Sequence, residues 1–323
     1  MSADTVDNLM RKAYTCVFRE GHDISPSRGD AKDLFGVLLE LQNPRARVSR
    51  SQARQRVFSA LGELLWYLSG SDDAAYIGYY VDYYNKPAVS VDGHVTGAYG
   101  PRLLRFDGVN QIQAVVQMLR ANPDSRNAVV QIFDHEDTDN APCTLALQFA
   151  VREHSLVLMT SMRSNDLYLG LPHDIFAFTM LQEIVARSID VEVGVYLHSV
   201  GSFHLYKNDI SAARSYLAEG WQDRAVMPAM PLGDPWPYIK ELLVIEEAIR
   251  TSKELNVNLL DLPEVSYWRD LAILLCTLKL LLEKRTPEII ELAEQLDSKY
   301  FRDIVLERID KQEWARARND LQR

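Results

Sequence analysis

Residues 141–144 read Ala141-Pro142-Cys143-Thr144, and residues 163–174 read Arg163-Ser164-Asn165-Asp166-Leu167-Tyr168-Leu169-Gly170-Leu171-Pro172-His173-Asp174. Pro142 restricts the backbone just ahead of Cys143, and the apolar run Thr144–Val151 that follows predicts a strand. A second such run, Leu156–Ser161, lies beyond Glu153-His154-Ser155 and predicts the other arm of a hairpin. The longer stretch concentrates a guanidinium, a hydroxyl, two carboxylates and an imidazole between apolar flanks. It leads into a helix over Asp174–Arg187, with Ile175, Phe178, Met180, Leu181 and Ile184 facing inward. Taken singly these residues have plain explanations. An isolated cysteine is most often a buried small hydrophobe, and turn or cap duties account for Asp166, Gly170, Pro172 and Asp174. A reactive Cys143 needs a neighbour that lowers its thiol pKa, because the thiolate is the nucleophile.

Outward from this stretch, Phe35–Leu41, Ala128–Phe133 and Val191–Phe203 also read as extended segments. The first strong helical pattern is Gln52–Leu68, where Val57, Leu61, Leu64, Leu65 and Leu68 recur at helical spacing. Ser49 or Ser51 is placed to cap it and Gly70 to close it. Glu63 interrupts its apolar stripe. Composition changes over Met227–Pro237, which holds four of the thirteen prolines. Beyond it the pattern is helical over Tyr238–Leu255, Val265–Lys284, Pro287–Leu296 and Lys299–Ala315. The expected organisation is therefore a mixed α/β (α+β) domain over residues 1–235, its mixed sheet surrounded by helices, and an all-helical C-terminal extension over 236–323.

Composition narrows the function. The chain has 323 residues, 35 Lys+Arg against 45 Asp+Glu, and a formal net charge of −10. An acidic chain with no basic patch repels nucleic-acid polymers, so any phosphate it meets is expected to be small. Three widely spaced cysteines, Cys16, Cys143 and Cys276, offer neither a metal spacing nor a disulfide framework. A reducing cytoplasm is the expected setting. The opening Met1-Ser-Ala-Asp-Thr-Val-Asp has no signal-peptide pattern. The most apolar run, Leu271–Leu282, is about twelve residues long and carries Lys279, against the ~20 a membrane span needs.

Six motifs in order resemble the thymidylate synthase superfamily. They are Glu63-Leu64-Leu65-Trp66, Ala98-Tyr99-Gly100, Asp124-Ser125-Arg126, Pro142-Cys143, the Arg-Ser-x-Asp-x-x-Leu-Gly-x-Pro of residues 163–172, and the His-x-Tyr of His204 and Tyr206. The resemblance covers roughly residues 10–230. It implies that Cys143 adds to C6 of a pyrimidine nucleoside monophosphate, making C5 a carbon nucleophile toward the one-carbon unit of 5,10-methylenetetrahydrofolate. It further implies that Arg163, Ser164, Arg28 of the Ser25–Gly29 loop, and Arg126 of a partner subunit bind the phosphate of the nucleotide, as arginine forks suit phosphate oxygens. Arg163 is also expected to favour the Cys143 thiolate. Glu63 would relay protons, Tyr99 would help remove the C5 proton, and His204 and Tyr206 would hold the sugar. Asp166 would lie against base and folate. A homodimer follows from the shared Arg126, and no metal is expected.

Four departures from the family pattern bear on the substrate. Where the synthases read Phe-Asn after Leu-Gly-x-Pro, this chain has His173 and Asp174, both placed at the base. The synthases' Asn accepts from uracil N3–H and donates to O4; cytosine reverses that order, and a carboxylate accepts from its N4 amino group. The same change marks the cytidylate hydroxymethylases of the superfamily. The alternative is that Asp174 merely caps a helix. The tryptophan pair between the glutamate helix and the Tyr-Gly motif is replaced by Gly78-Tyr-Tyr-Val-Asp-Tyr-Tyr-Asn-Lys-Pro87. There Tyr83, Tyr84 and Asn85 would tolerate a water on the folate side, favouring hydroxymethyl over methyl transfer. Thr144 stands in place of the His that follows the nucleophile, and the helical extension replaces the short apolar tail that closes over folate. The reading is a one-carbon transferase, a cytidylate 5-hydroxymethylase acting on dCMP or CMP. Its alternatives are a thymidylate synthase methylating dUMP and a catalytically inactive nucleotide-binding member.

Overall fold

The computed structural model describes residues 1–51, 56–137 and 141–320. The chain forms two compact units, Met1–Val226 and one beginning at Met227.

The first unit is built on a seven-stranded mixed sheet in the order β1-β3-β7-β6-β5-β4, with β2 paired to β3. Its strands are β1 (Ser2–Ala3), β2 (His22–Ile24), β3 (Ala31–Leu41), β4 (Val129–Gln131), β5 (Thr144–Arg152), β6 (Ser155–Asp166) and β7 (Glu192–Tyr206). β6 and β7 run parallel, whereas β3 with β7, β5 with β6 and β4 with β5 are antiparallel. The expected hairpin is present. Glu153 and His154 both take positive φ (49° and 61°), the combination that matches a two-residue turn to strand twist. Along β6, Leu156, Leu158, Thr160 and Met162 are buried, and the residues between them are partly exposed. This alternation of period two leaves one sheet face for the core.

The core face is covered by α6 (Gly170–Ser188), which packs against β6, β7 and α2 (Val57–Ser69). Nearly every α6 side chain from Leu171 on is buried, so the helix is central. It starts four residues before the expected Asp174, because Gly170-Leu171-Pro172 already adopts helical backbone, with Pro172 in the first turn where its missing N–H costs nothing. Helix α2 begins at Val57; of its expected start, residues 52–55 lie outside the described part. Its N-cap, Arg56, makes no side-chain cap bond, and Ser49 instead bonds Asp7. Gly70 closes α2 in the left-handed conformation at φ 70°, as expected.

An earlier helix, α1 (Val6–Glu20), precedes the first one read from the sequence. Thr5 caps it by accepting from Asn8 N–H at 3.2 Å, and Val6, Leu9, Met10, Ala13, Tyr14 and Val17 form its buried stripe. Short helices α3 (Ala74–Tyr80), α4 (Tyr99–Leu104), α5 (Gln111–Ala121) and α7 (Ile210–Ala218) complete the unit.

The second unit holds α8 (Trp236–Thr251), α9 (Ser266–Glu283), α10 (Thr286–Glu294) and α11 (Lys299–Asp320). The apolar run expected to be a buried helix lies in α9, packed among the other three. Asp270 of α9 accepts from Asp297 N–H at 3.0 Å and Ser298 N–H at 2.9 Å, just ahead of α11. Among the described residues no helix is long and apolar enough to cross a membrane.

Candidate active site

Sheet register brings the two quoted stretches together. Cys143 directly precedes β5, and its carbonyl accepts Arg163 N–H at 2.8 Å. A register shift between Thr144 and Ala146 follows at once; such irregularities re-aim side chains beside sites. β6 then ends in Ser164, Asn165 and Asp166, paired with Ser202, Phe203 and His204 of β7. Arg163 donates from Nε to Pro142 O (3.0 Å) and from Nη2 to Ala141 O (2.6 Å). It therefore clamps the turn that carries Cys143.

Cys143 is half-buried. Burial pushes its thiol pKa up, while the charges of Arg163 and Arg28 pull it down. The expectation that Arg163 favours the thiolate holds in sign, but burial outweighs it and the net shift is upward. Tyr99 opens α4, and its hydroxyl accepts from Thr144 N–H at 3.2 Å. Burial first, then the neighbouring Cys143 and Asp174, hold its phenol well above the ordinary value. Gly100 next to it has to be glycine. A Cβ there would stand 3.0 Å from the carbonyl oxygens of both Ser71 and Tyr67.

Glu63 is only 7% exposed, unlike a surface helix carboxylate. Its Oε1 accepts from the Tyr67 hydroxyl at 3.0 Å, and Oε2 lies 2.6 Å from His173 Nδ1. His173 Nε2 in turn lies 3.2 Å from Ser59 Oγ. Ser59, Glu63 and Tyr67 share one face of α2 through their four-residue spacing. Around them stands an aromatic wall. The ring centroids of Tyr67 and Tyr99 are 5.1 Å apart, and those of Trp66 and Tyr84, like those of Tyr83 and Tyr84, 5.5 Å apart. Asn85 donates from Nδ2 to Gly78 O at 3.0 Å, which ties one of its two amide hydrogens to the loop.

Asp174 lies inside α6 rather than at its cap, and its Oδ2 accepts from Asn165 Nδ2 at 2.7 Å. The residue keeps some exposure, but its carboxyl is deeply enclosed. Burial, reinforced by the charge of Glu63, raises its pKa well above the ordinary carboxyl value. His204 is buried, with Nδ1 3.5 Å from Ser164 Oγ, and its ring meets Tyr206 edge-on at 4.9 Å. Asp166 Oδ1 accepts from the N–H groups of Tyr168 and Leu169 at 2.8 and 3.2 Å. Arg28 is exposed and sits over the Tyr83 ring at 5.5 Å. Arg126 is exposed on the loop leading into β4.

Four residues to which the sequence assigns no role belong to this arrangement: Ser59, Tyr67, Asn165 and His198, whose Nε2 lies 3.0 Å from Asn165 Oδ1. The first two were detectable as the i−4 and i+4 neighbours of Glu63. Asn165 lay in the quoted stretch, and nothing in its spacing marked it. Among the described residues no group of His, Cys, Asp and Glu could hold a metal ion.

The family model for thymidylate synthase matches residues 41–235. The chain belongs to the thymidylate synthase family. Its mixed sheet with surrounding helices is a thymidylate synthase fold. The deoxyuridylate hydroxymethyltransferase of Bacillus phage SP01 is 32% identical over 224 residues, 63% of this chain and 58% of that protein. The thymidylate synthase of Francisella tularensis subsp. holarctica (strain FTNF002-00 / FTA) is 33% identical over 206 residues, 58% of this chain and 75% of that one. The synthase of strain OSU18 gives the same figures. The match thus spans little more than half of the phage relative's length. Thymidylate synthase-family enzymes are one-carbon transferases that use methylenetetrahydrofolate as co-substrate.

Proposed function

We propose that this chain is a cytidylate 5-hydroxymethylase, transferring the one-carbon unit of 5,10-methylenetetrahydrofolate to C5 of dCMP or CMP with addition of water. The observation that carries this reading is Asp174, a carboxyl where the synthases use an amide, with one oxygen bonded to Asn165 at 2.7 Å. A neutral carboxyl offers one donor and one acceptor, which match N3 and the N4 amino group of cytosine. A site built on such hydrogen bonds rejects the mismatched base by about 10⁴-fold.

In this reading Cys143 Sγ adds to C6 and C5 becomes nucleophilic. Because the thiol is pushed up by burial in the free protein, the charges of Arg163 and Arg28 are what favour its ionised form. Arg28, Arg163 and Ser164 would bind the phosphate, with Arg126 of a second subunit, and His204 and Tyr206 the sugar. Tyr99 would assist loss of the C5 proton. The bound folate supplies a carbon at the oxidation level of formaldehyde. Tyr83 and Tyr84, the latter backed by the buried Trp66, would provide an aromatic wall for its ring, and Asp166 Oδ2 a hydrogen-bond acceptor. Once an exocyclic methylene stands on C5, a water oxygen adds to it and gives its proton to the Glu63–His173 pair; the C5–C6 double bond then re-forms as Cys143 leaves. The 2.6 Å contact between Glu63 and His173 supports this role, since it adds a second proton carrier. The same reading assigns catalysis to residues 1–235 of a cytoplasmic homodimer and leaves 236–323 as a separate extension.

A second reading follows from the relatives: methyl or hydroxymethyl transfer to deoxyuridylate. Folate-dependent release of the C5 hydrogen separates the two. Release from cytidylate supports the proposal, and release from deoxyuridylate alone overturns it. Product mass then distinguishes hydroxymethyl from methyl. A chain that releases hydrogen from neither and still binds nucleotide would be an inactive member.

A further inference from the structure

Tyr99 stands at the start of a helix too short to hold itself. α4 has six residues, and Ala98 at its N-cap makes no side-chain cap bond; helices of this length are marginal without outside contacts. Its strongest outside contact is Arg102, which the mechanism above does not use and whose side chain is 14% exposed. Arg102 Nη1 donates to Ile132 O at 2.7 Å and to Asp137 Oδ2 at 2.6 Å. Nη2 donates to Asp137 Oδ1 at 2.6 Å and to Thr96 O at 3.3 Å.

The fork of Arg102 on Asp137 is bidentate and charge-assisted, the strong kind of pair. Asp137 is itself fixed, because its Oδ2 also accepts Asp134 N–H at 2.7 Å. The main chain of Arg102 is held as well: its carbonyl accepts from Gln111 Nε2 at 2.6 Å, and the same amide donates to Gln131 O of β4 at 2.7 Å. Arg102 therefore ties α4, and the Thr96 carbonyl just ahead of Tyr99, to the end of β4 and the turn beyond it. Cys143 has a different anchor. Arg163 donates to Ala141 O and Pro142 O from its side chain and to the Cys143 carbonyl from its N–H. The two assemblies meet where Thr144 N–H donates to the Tyr99 hydroxyl at 3.2 Å.

We propose that Arg102, through its fork on Asp137, is a positioning residue: it sets where the Tyr99 hydroxyl stands relative to Cys143, and with that the rate at which the C5 proton is removed. This rests on the role given to Tyr99 above. It does not depend on the base, so it applies to dCMP and dUMP alike. The physical reason is that proton transfer tolerates little misplacement, while a six-residue helix supplies little rigidity of its own. Because Cys143 is clamped by Arg163, loosening Arg102 shifts the phenol and leaves the nucleophile in place.

Arg102→Lys tests this, since an ammonium keeps the charge but has no fork to span Asp137, Ile132 O and Thr96 O together. The assay is folate-dependent C5-hydrogen release from whichever of dCMP and dUMP the unmutated protein uses. Its kcat falls by about 10–100-fold, the order a small misplacement causes. KM for the nucleotide, and the rate at which iodoacetamide alkylates Cys143, both stay within about twofold. In a Tyr99→Phe background the same change costs less than about twofold, because the hydroxyl it aims is gone. Asp137→Asn keeps the shape and loses the charge; it gives a smaller fall with the same dependence on Tyr99, and decides the question if Arg102→Lys does not fold. Falls that multiply in the double variant overturn the proposal, as does a raised KM together with faster alkylation of Cys143, the mark of a generally loosened site. Tyr99→Phe with unchanged release overturns the role of Tyr99 and this proposal with it. Release from neither nucleotide by the unmutated protein overturns the proposed function and all that rests on it, and is seen before any variant is made.

Discussion

Asp174→Asn restores an amide whose oxygen can accept from uracil N3–H and whose N–H can donate to O4. The dCMP-over-dUMP preference in C5-hydrogen release should reverse, an inversion on the order of 10⁴-fold. His173→Phe removes the imidazole from Glu63 without touching Cys143. The expected result is that C5-hydrogen release persists while hydroxymethyl product falls at least about tenfold, as loss of a general acid–base group does; mass analysis of the nucleotide product checks it. The Cys143 thiol titrates above its ordinary value, so its thiolate fraction grows as pH rises. Alkylation of Cys143 by iodoacetamide, followed by peptide mass spectrometry, should still be accelerating at pH 9.0, the ordinary thiol value. Arg163→Met should push that rise to still higher pH, because the downward pull of its charge is lost along with its bonds to Ala141 O and Pro142 O. Cys276, buried in α9 with its thiol pushed up to about 12, should stay unmodified in the folded protein.

Among the elements, α6 organises the first unit. One of its turns presents Asp174 to the site, and two and a half turns later Glu183 meets Arg47 in an ion pair whose side chains are both fully buried. Among the described residues Arg47 Nε and Nη1 have no hydrogen-bond partner, so the guanidinium is incompletely satisfied. Removing one member leaves a buried charge, and Arg47→Met alone should cost about 3–5 kcal/mol in urea unfolding. The double change Arg47→Met with Glu183→Leu should recover most of that loss, since apolar contact replaces both desolvated charges. A double variant less stable than the single one would show that the pair contributes more than its own desolvation removes.

For the whole molecule, the proposed sharing of Arg126 makes a sharp demand. Arg126→Ala and Cys143→Ala chains, each inactive alone, should regain up to about a quarter of unmutated activity when mixed and re-equilibrated, the statistical share of sites with both residues intact. No recovery on mixing would remove Arg126 from the partner's site. The uncovered sheet face gives a dimer somewhere to form: Phe35 and Leu38 on β3 and Val129 on β4 are 85%, 49% and 45% exposed, an apolar surface of the kind that marks an interface.

The amino-acid pattern alone determined the five strand segments β3–β7, the hairpin, the central helix, the late helices and the family, because each rests on local periodicity or on ordered motifs. Its errors were of two kinds. Elements go unread, α1 although Thr5 and the Val6–Val17 stripe encode it, and with it the short β1 and β2 and helices α3, α4, α5 and α7; and a boundary is misplaced, α6 beginning four residues before Asp174. What no local pattern contains is who faces whom. That Glu63 meets His173 across 110 positions of sequence, that Asn165 rather than solvent holds Asp174, and that burial outweighs Arg163 at Cys143 were decided only by the tertiary structure. Hydrogen bonds and desolvation depend on distance and enclosure, and both are set when the sheet and α6 close around the site.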